Sequence, residues 1–166
     1  MIGKLHKVNG KRRIVYLIIS IMIAEGVGIL SGFLGMNNSM KYMQFNKPLF
    51  SPPSWIFPIV WTLLYLLMGI AAYRIWIKGK EGEKVTRALA LYTIQLTLNF
   101  LWSIIFFRFN LYGAAFFELL VLLVVVIMMT FEFYKIDKIS AYLMIPYILW
   151  LSFAGVLNYV IWMLNK

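Results

Sequence analysis

Gln95, Asn99 and Trp102 stand at i, i+4 and i+7 in a stretch that is otherwise almost wholly apolar. Trp61, Tyr65 and Met68 repeat the spacing upstream, and Pro146, Trp150, Ala154 and Leu157 or Asn158 form a similar stripe downstream. Residues at these intervals share one helix face. Indole and phenol rings stack on planar ligands, and carboxamides both donate and accept hydrogen bonds. Converging on one hollow, they would make a mostly apolar pocket with sparse polar groups, suited to a hydrophobic small molecule. The same residues also have a packing reading. Gln95, Asn99 and Asn158 could simply hydrogen-bond between helices, at about 0.6 kcal/mol each. Trp55, Trp76 and Trp162 lie near segment ends, where an interfacial aromatic belt accounts for them. Trp61, Trp102 and Trp150 lie deeper, and a belt explains them poorly.

Conventional catalysis finds little to work with. The chain has no cysteine and a single histidine, His6, in its basic N-terminal stretch. Thiolate chemistry, a zinc site and axial haem ligation inside a bundle are therefore not expected. The six acidic residues are scattered, so no paired-carboxylate site, Ser-His-Asp arrangement or phosphate loop can be drawn.

The elements that must position these side chains are membrane helices. The chain of 166 residues is 63% hydrophobic and only 13% charged, with a mean hydropathy of +0.83. A soluble domain carries about a quarter charged residues. Spanning the bilayer takes roughly 20 apolar residues, and five stretches qualify: Ile14–Met36, Ser54–Ile77, Ala88–Phe107, Leu111–Tyr134 and Ser140–Leu164. The fold class is thus all-α, a five-helix transmembrane bundle over residues 14–166 behind a basic tail, 1–13. The first stretch runs past Glu25 without a small-residue cleavage pattern and reads as a retained helix rather than a signal peptide.

The net charge of +10 belongs to topology and anionic lipid rather than to nucleic acid. Twelve of the 16 Lys and Arg residues fall at one set of segment ends: Lys4 to Arg13, Arg74 to Arg87, Lys135 and Lys138. Lys41, Lys47, Arg108 and Lys166 fall at the other. The N-terminus is expected inside and the C-terminus outside. The long connection at about 37–53 then lies outside, where it is either a lid over a site or a passive connector.

Four features inside the spans need positions. Glu118 is expected to reach Arg108 across the short turn. Glu25, with no evident partner, is protonated, turned to the interior or used in assembly. Pro146 should kink the fifth helix by freeing the carbonyl of Tyr142. Gly28-x-x-x-Gly32 gives the first helix a small-residue face, for packing within the chain or for a homodimer seam.

Three strings carry a resemblance. They are Lys47-Pro48…Pro52-Pro53…Pro58…Trp61…Tyr65…Met68-Gly69, then Gln95…Asn99…Trp102…Phe106-Phe107, then Pro146-Tyr147…Trp150…Phe153-Ala154…Leu157-Asn158-Tyr159…Trp162. Together they resemble the TspO/MBR family of tryptophan-rich sensory proteins and translocator proteins, in register from about Gly28 to Asn165. The resemblance implies a five-helix bundle, often dimeric, expected here in a bacterial cell membrane. It implies a pocket beneath the first long loop for porphyrins and other planar hydrophobic ligands, with no required cofactor and no metal. The family's ligand-binding positions carry over to Trp61, Tyr65, Asn99, Trp102, Trp150, Phe153, Ala154 and Leu157. Trp61 and Trp150 match the tryptophans linked in bacterial relatives to light-dependent porphyrin breakdown, which would make them catalytic.

Sterol binding is doubtful. The animal members' recognition pattern near the chain end has Leu157 and Tyr159 here, but Met163 in place of its basic residue and Lys166 too far along. Three functions follow as expectations: a receptor or carrier for a tetrapyrrole, a light- and oxygen-dependent porphyrin-degrading enzyme, or a structural membrane subunit.

Overall fold

The computed structural model describes residues 10–35 and 42–166. Their regular structure is helical: α1 (Gly10–Leu34), α2 (Ile56–Lys80), α3 (Thr86–Ser103), α4 (Tyr112–Ile136), α5 (Lys138–Tyr142) and α6 (Ile145–Leu164). Five segments are long and apolar enough to cross a membrane, α5 and α6 together making the fifth. The helices ring the core in the order α1, α2, α5/α6, α4, α3. Most of the tail reading, residues 1–9, and part of the long connection, residues 36–41, lie outside the described residues.

The core follows the apolar periodicity. Met68, Ile75, Leu122, Val126, Met129, Phe133, Met144 and Tyr147 are sealed from the surface, while Ile18, Met22, Phe33, Val121, Val124 and Phe131 point outward as lipid-facing residues would. Two glycines set how closely α1 and α2 approach. A β-carbon on Gly69 would stand 2.6 Å from the backbone of Ile21, and the Ser20 hydroxyl donates to the Gly69 carbonyl at 2.8 Å. A β-carbon on Gly28 would strike the ring of Tyr65. Gly28 therefore serves packing within the chain, one of the two uses its sequence motif left open.

Two departures from regular helix matter. The expected kink at Pro146 is a full break. A proline ring clashes with the carbonyl four residues back, and α5 stops at that residue, Tyr142. Pro146 sits instead in the first turn of α6, where its missing N–H costs little. The second departure is a π-helical turn, Ile104–Arg108, closing α3. The Phe109 N–H reaches the Ile104 carbonyl at 3.1 Å.

At the basic end, Arg74 on α2 grips Asp137 with two bonds, 2.7 and 2.9 Å long. Asp137 also caps α5 through the Ser140 N–H at 3.0 Å and accepts the Ser140 hydroxyl at 2.6 Å. The Arg74 guanidinium beside it, reinforced by Ser140, holds the Asp137 carboxyl down at about 2.

Candidate functional site

Four of the five long helices, α1, α2, α3 and α6, meet around the end that carries the long connection. There they enclose a cavity of about 320 Å3, at the low end of small-molecule sites. Its walls come from the second half of α1 (Glu25, Gly28, Gly32), the start of α2 (Phe57, Trp61, Tyr65), the end of α3 (Asn99, Trp102, Phe106, Phe107) and α6 (Ala154, Leu157, Asn158). From α3 and the π turn that closes it, Trp102, Ser103, Phe106 and Phe107 all reach one hollow. π-bulges are frequent at functional sites.

Aromatic rings are stacked against one another around the opening. Trp102 lies on Phe106 with centroids 5.1 Å apart and planes 24° apart. Trp61 leans on Tyr65 at 5.7 Å. The connection contributes Tyr42, whose ring meets Phe57 at 4.9 Å and whose hydroxyl donates to the Pro52 carbonyl at 3.1 Å. Phe45 packs between Phe106 and Tyr112. Asn46 and Asn165 then exchange hydrogen bonds of 3.1 and 3.0 Å, tying this strap to the end of α6.

Beneath the cavity runs a chain of polar groups that joins three helices. The Tyr65 hydroxyl donates to Asn99 Oδ1 at 2.5 Å. Asn99 Nδ2 donates to the Tyr147 hydroxyl at 2.7 Å, and that hydroxyl donates to Gln95 Oε1 at 3.0 Å. Gln95 and Tyr147 are fully buried, so each bond replaces solvation that the interior cannot supply. On the other wall the Trp102 N–H donates to Asn158 Oδ1 at 3.1 Å. Asn158 Nδ2 passes on to the Tyr112 carbonyl at 2.9 Å. The carboxamides thus fix the orientation of the rings that line the cavity.

Six of the eight expected ligand-binding residues meet on this one cavity: Trp61, Tyr65, Asn99, Trp102, Ala154 and Leu157. Trp150 and Phe153 are not among its lining residues. Trp150 packs against Phe57 at 5.8 Å and Phe153 at 5.6 Å. The two tryptophans proposed as a photochemical pair therefore occupy different environments, only Trp61 facing the hollow. Glu118 does not pair with Arg108. Both its carboxylate oxygens are buried without a hydrogen-bond partner, while Arg108 is exposed at the end of the π turn. Sequence reasoning passed over Tyr42 and Phe57, gave Phe106 only a place in the third-helix string, and left the direction of Glu25 open; Glu25 faces the cavity. Phe57 and Phe106 lie one turn from Trp61 and Trp102, so helical spacing could have found them.

The sequence profile of the TspO/MBR family matches residues 19–163. The tryptophan-rich protein TspO of Archaeoglobus fulgidus is 37% identical over 153 residues, covering 92% of this chain and 98% of that protein. The human translocator protein is 38% identical over 122 residues, 73% of this chain and 72% of its own length. Protein CrtK of Rhodobacter capsulatus is 35% identical over 124 residues, 75% of this chain and 78% of its own.

Proposed function

This chain belongs to the TspO/MBR family of membrane proteins, and we propose that it is a receptor or carrier that binds a porphyrin or similar planar hydrophobic ligand between its helices. The observation that supports this reading is a single cavity whose walls hold Trp61, Tyr65, Trp102 and Phe106, with Asn99 at its base. Flat π surfaces on several walls favour a flat ligand. The buried hydrogen bonds behind them keep the site preformed, which lowers the ordering cost of binding. The volume is small for a whole tetrapyrrole, but Gly32, Pro58 and Thr62, exposed residues of α1 and α2, sit on its rim. A ring larger than the hollow can project between those two helices. In this reading the chain works in the lipid bilayer with its N-terminus inside.

Protoporphyrin titrated into the purified protein should quench tryptophan emission saturably. Trp61→Phe and Trp102→Phe should each weaken binding, whereas Trp150→Phe should leave the dissociation constant within about twofold of wild type. Linear quenching that is identical in the Trp61→Phe, Trp102→Phe double variant would remove the proposal.

A further inference from the structure

Among the described residues, Glu25 is the one formally charged side chain on the cavity wall. It stands in the interior of α1, well away from either end of a spanning helix, where an ionisable group is costly to bury. Such a residue normally pairs with another side chain or with backbone. Among the described residues, Glu25 has neither a hydrogen bond nor an ion pair. The described salt bridges all lie elsewhere, toward the basic end. The carboxylate therefore faces the hollow with its acceptor capacity unspent.

Its neighbours across the cavity do not reverse that polarity. Tyr65 has given its only hydroxyl proton to Asn99, so toward the cavity its oxygen can only accept. Trp102 has given its N–H to Asn158. The donors still available are the second amide hydrogens of Asn99 and Asn158, the Trp61 N–H and the hydroxyls of Ser54 and Thr62, all neutral. The nearest roof cation on the described strap, Lys47, is held 4.5 Å from the centre of the Tyr42 ring and does not line the cavity.

We propose that Glu25 is a specificity-determining residue of this cavity, selecting hydrophobic ligands that carry a protonated amine. The proposal rests on the cavity being a ligand site and adds the charge class that it prefers. An ammonium brought in on an aromatic body would meet the carboxylate while its ring lies among Trp61, Tyr65 and Trp102. Those ring faces also attract a cation. An anionic group placed against Glu25 would face an unpaired carboxylate, and like charges repel, so the carboxylates of a porphyrin seated here would point out through the rim, away from Glu25.

The test uses the full chain in nanodiscs of neutral lipid and three probes of one shape: pyrenemethylamine, pyrenemethanol and pyrenecarboxylate. Tryptophan-to-pyrene energy transfer reads binding. Wild type should bind the ammonium about tenfold or more tightly than the alcohol, the range of one charge-assisted hydrogen bond, and should bind the carboxylate most weakly. In Glu25→Gln the ammonium-to-alcohol ratio should fall about tenfold while the alcohol's own affinity holds. Glu25→Asp should keep the preference, which separates loss of charge from loss of fold. Comparing ratios between variants cancels differences in how the probes partition into lipid. An unchanged ratio in Glu25→Gln, or a carboxylate bound as well as the ammonium, overturns the proposal and leaves the cavity reading standing. Absence of saturable transfer from all three probes overturns both.

Discussion

Tyr65 can hold its place only because Gly28 has no side chain. The ring occupies the space a β-carbon there would need, and its hydroxyl starts the polar chain through Asn99 to Tyr147 and Gln95. Gly32, one turn on, has nothing within 4 Å of its hypothetical β-carbon. The two glycines look alike in sequence and differ in duty, which yields a contrast of opposite sign. Gly28→Ala must displace Tyr65 and strain its bond to Asn99, an overpacking cost of about 1–3 kcal/mol. Gly32→Ala gains up to about 1 kcal/mol of helix propensity with no clash. Thermal unfolding followed by circular dichroism in one detergent should show a lower midpoint for Gly28→Ala and an equal or higher one for Gly32→Ala. Porphyrin affinity should fall with the first. Equal midpoints would mean that the ring is not lodged against α1. The residue types of the site were legible because polar and aromatic groups in a lipid-buried span have few other uses. Which rings face the hollow was less so. Trp150 and Ala154 share a stripe four residues apart, yet Ala154 lines the cavity while Trp150 packs against Phe57 and is not among the lining residues.

The spans themselves were readable from apolar length, within a few residues at each end. The π turn at Ile104–Arg108 was not, since it contains neither glycine nor proline to announce it. Pro146 announced a disruption, but not whether the helix would bend or stop. It stops, and the resulting joint is what Asp137 secures by capping α5 and holding Arg74 of α2. The Asp137 carboxyl is held at about 2, against about 3.9 for an unperturbed aspartate. Its stabilising effect is therefore complete above about pH 4 and fades as pH falls through about 2. Asp137→Asn separates the two roles, because asparagine caps a helix as well as aspartate but cannot form the ion pair. The variant should have a lower midpoint at neutral pH and should lose Asp137's share of the fall between about pH 4 and 2. Asp137→Ala should drop by about a further 1 kcal/mol for the missing cap. Identical pH profiles for wild type and Asp137→Asn would show that the pair adds nothing to the joint.

At the scale of the whole molecule, charge and cavity lie at opposite ends. Arg74, Lys78, Arg87, Lys135 and Lys138 cluster where α2, α3, α4 and α5 meet the basic face, and cytoplasmic segment ends carry that excess. The cavity draws on the late residues of α1, α3 and α6 and the first residues of α2, and so lies toward the other face, under the strap clasped by Asn46 and Asn165. Orientation in the membrane therefore decides which compartment the strap, and the hollow beneath it, look toward. Because the chain has no cysteine, one introduced thiol reports unambiguously. Leu49→Cys, at a fully exposed position on the strap, should react with a membrane-impermeant maleimide added to intact cells. Glu83→Cys, in the exposed turn after α2, should react only once the cells are lysed. The reverse pattern would place the N-terminus and the basic face outside and turn the strap toward the cytoplasm. Any ligand reaching the hollow past the strap would then come from the interior, and a carrier built this way would collect its cargo from the opposite side of the bilayer.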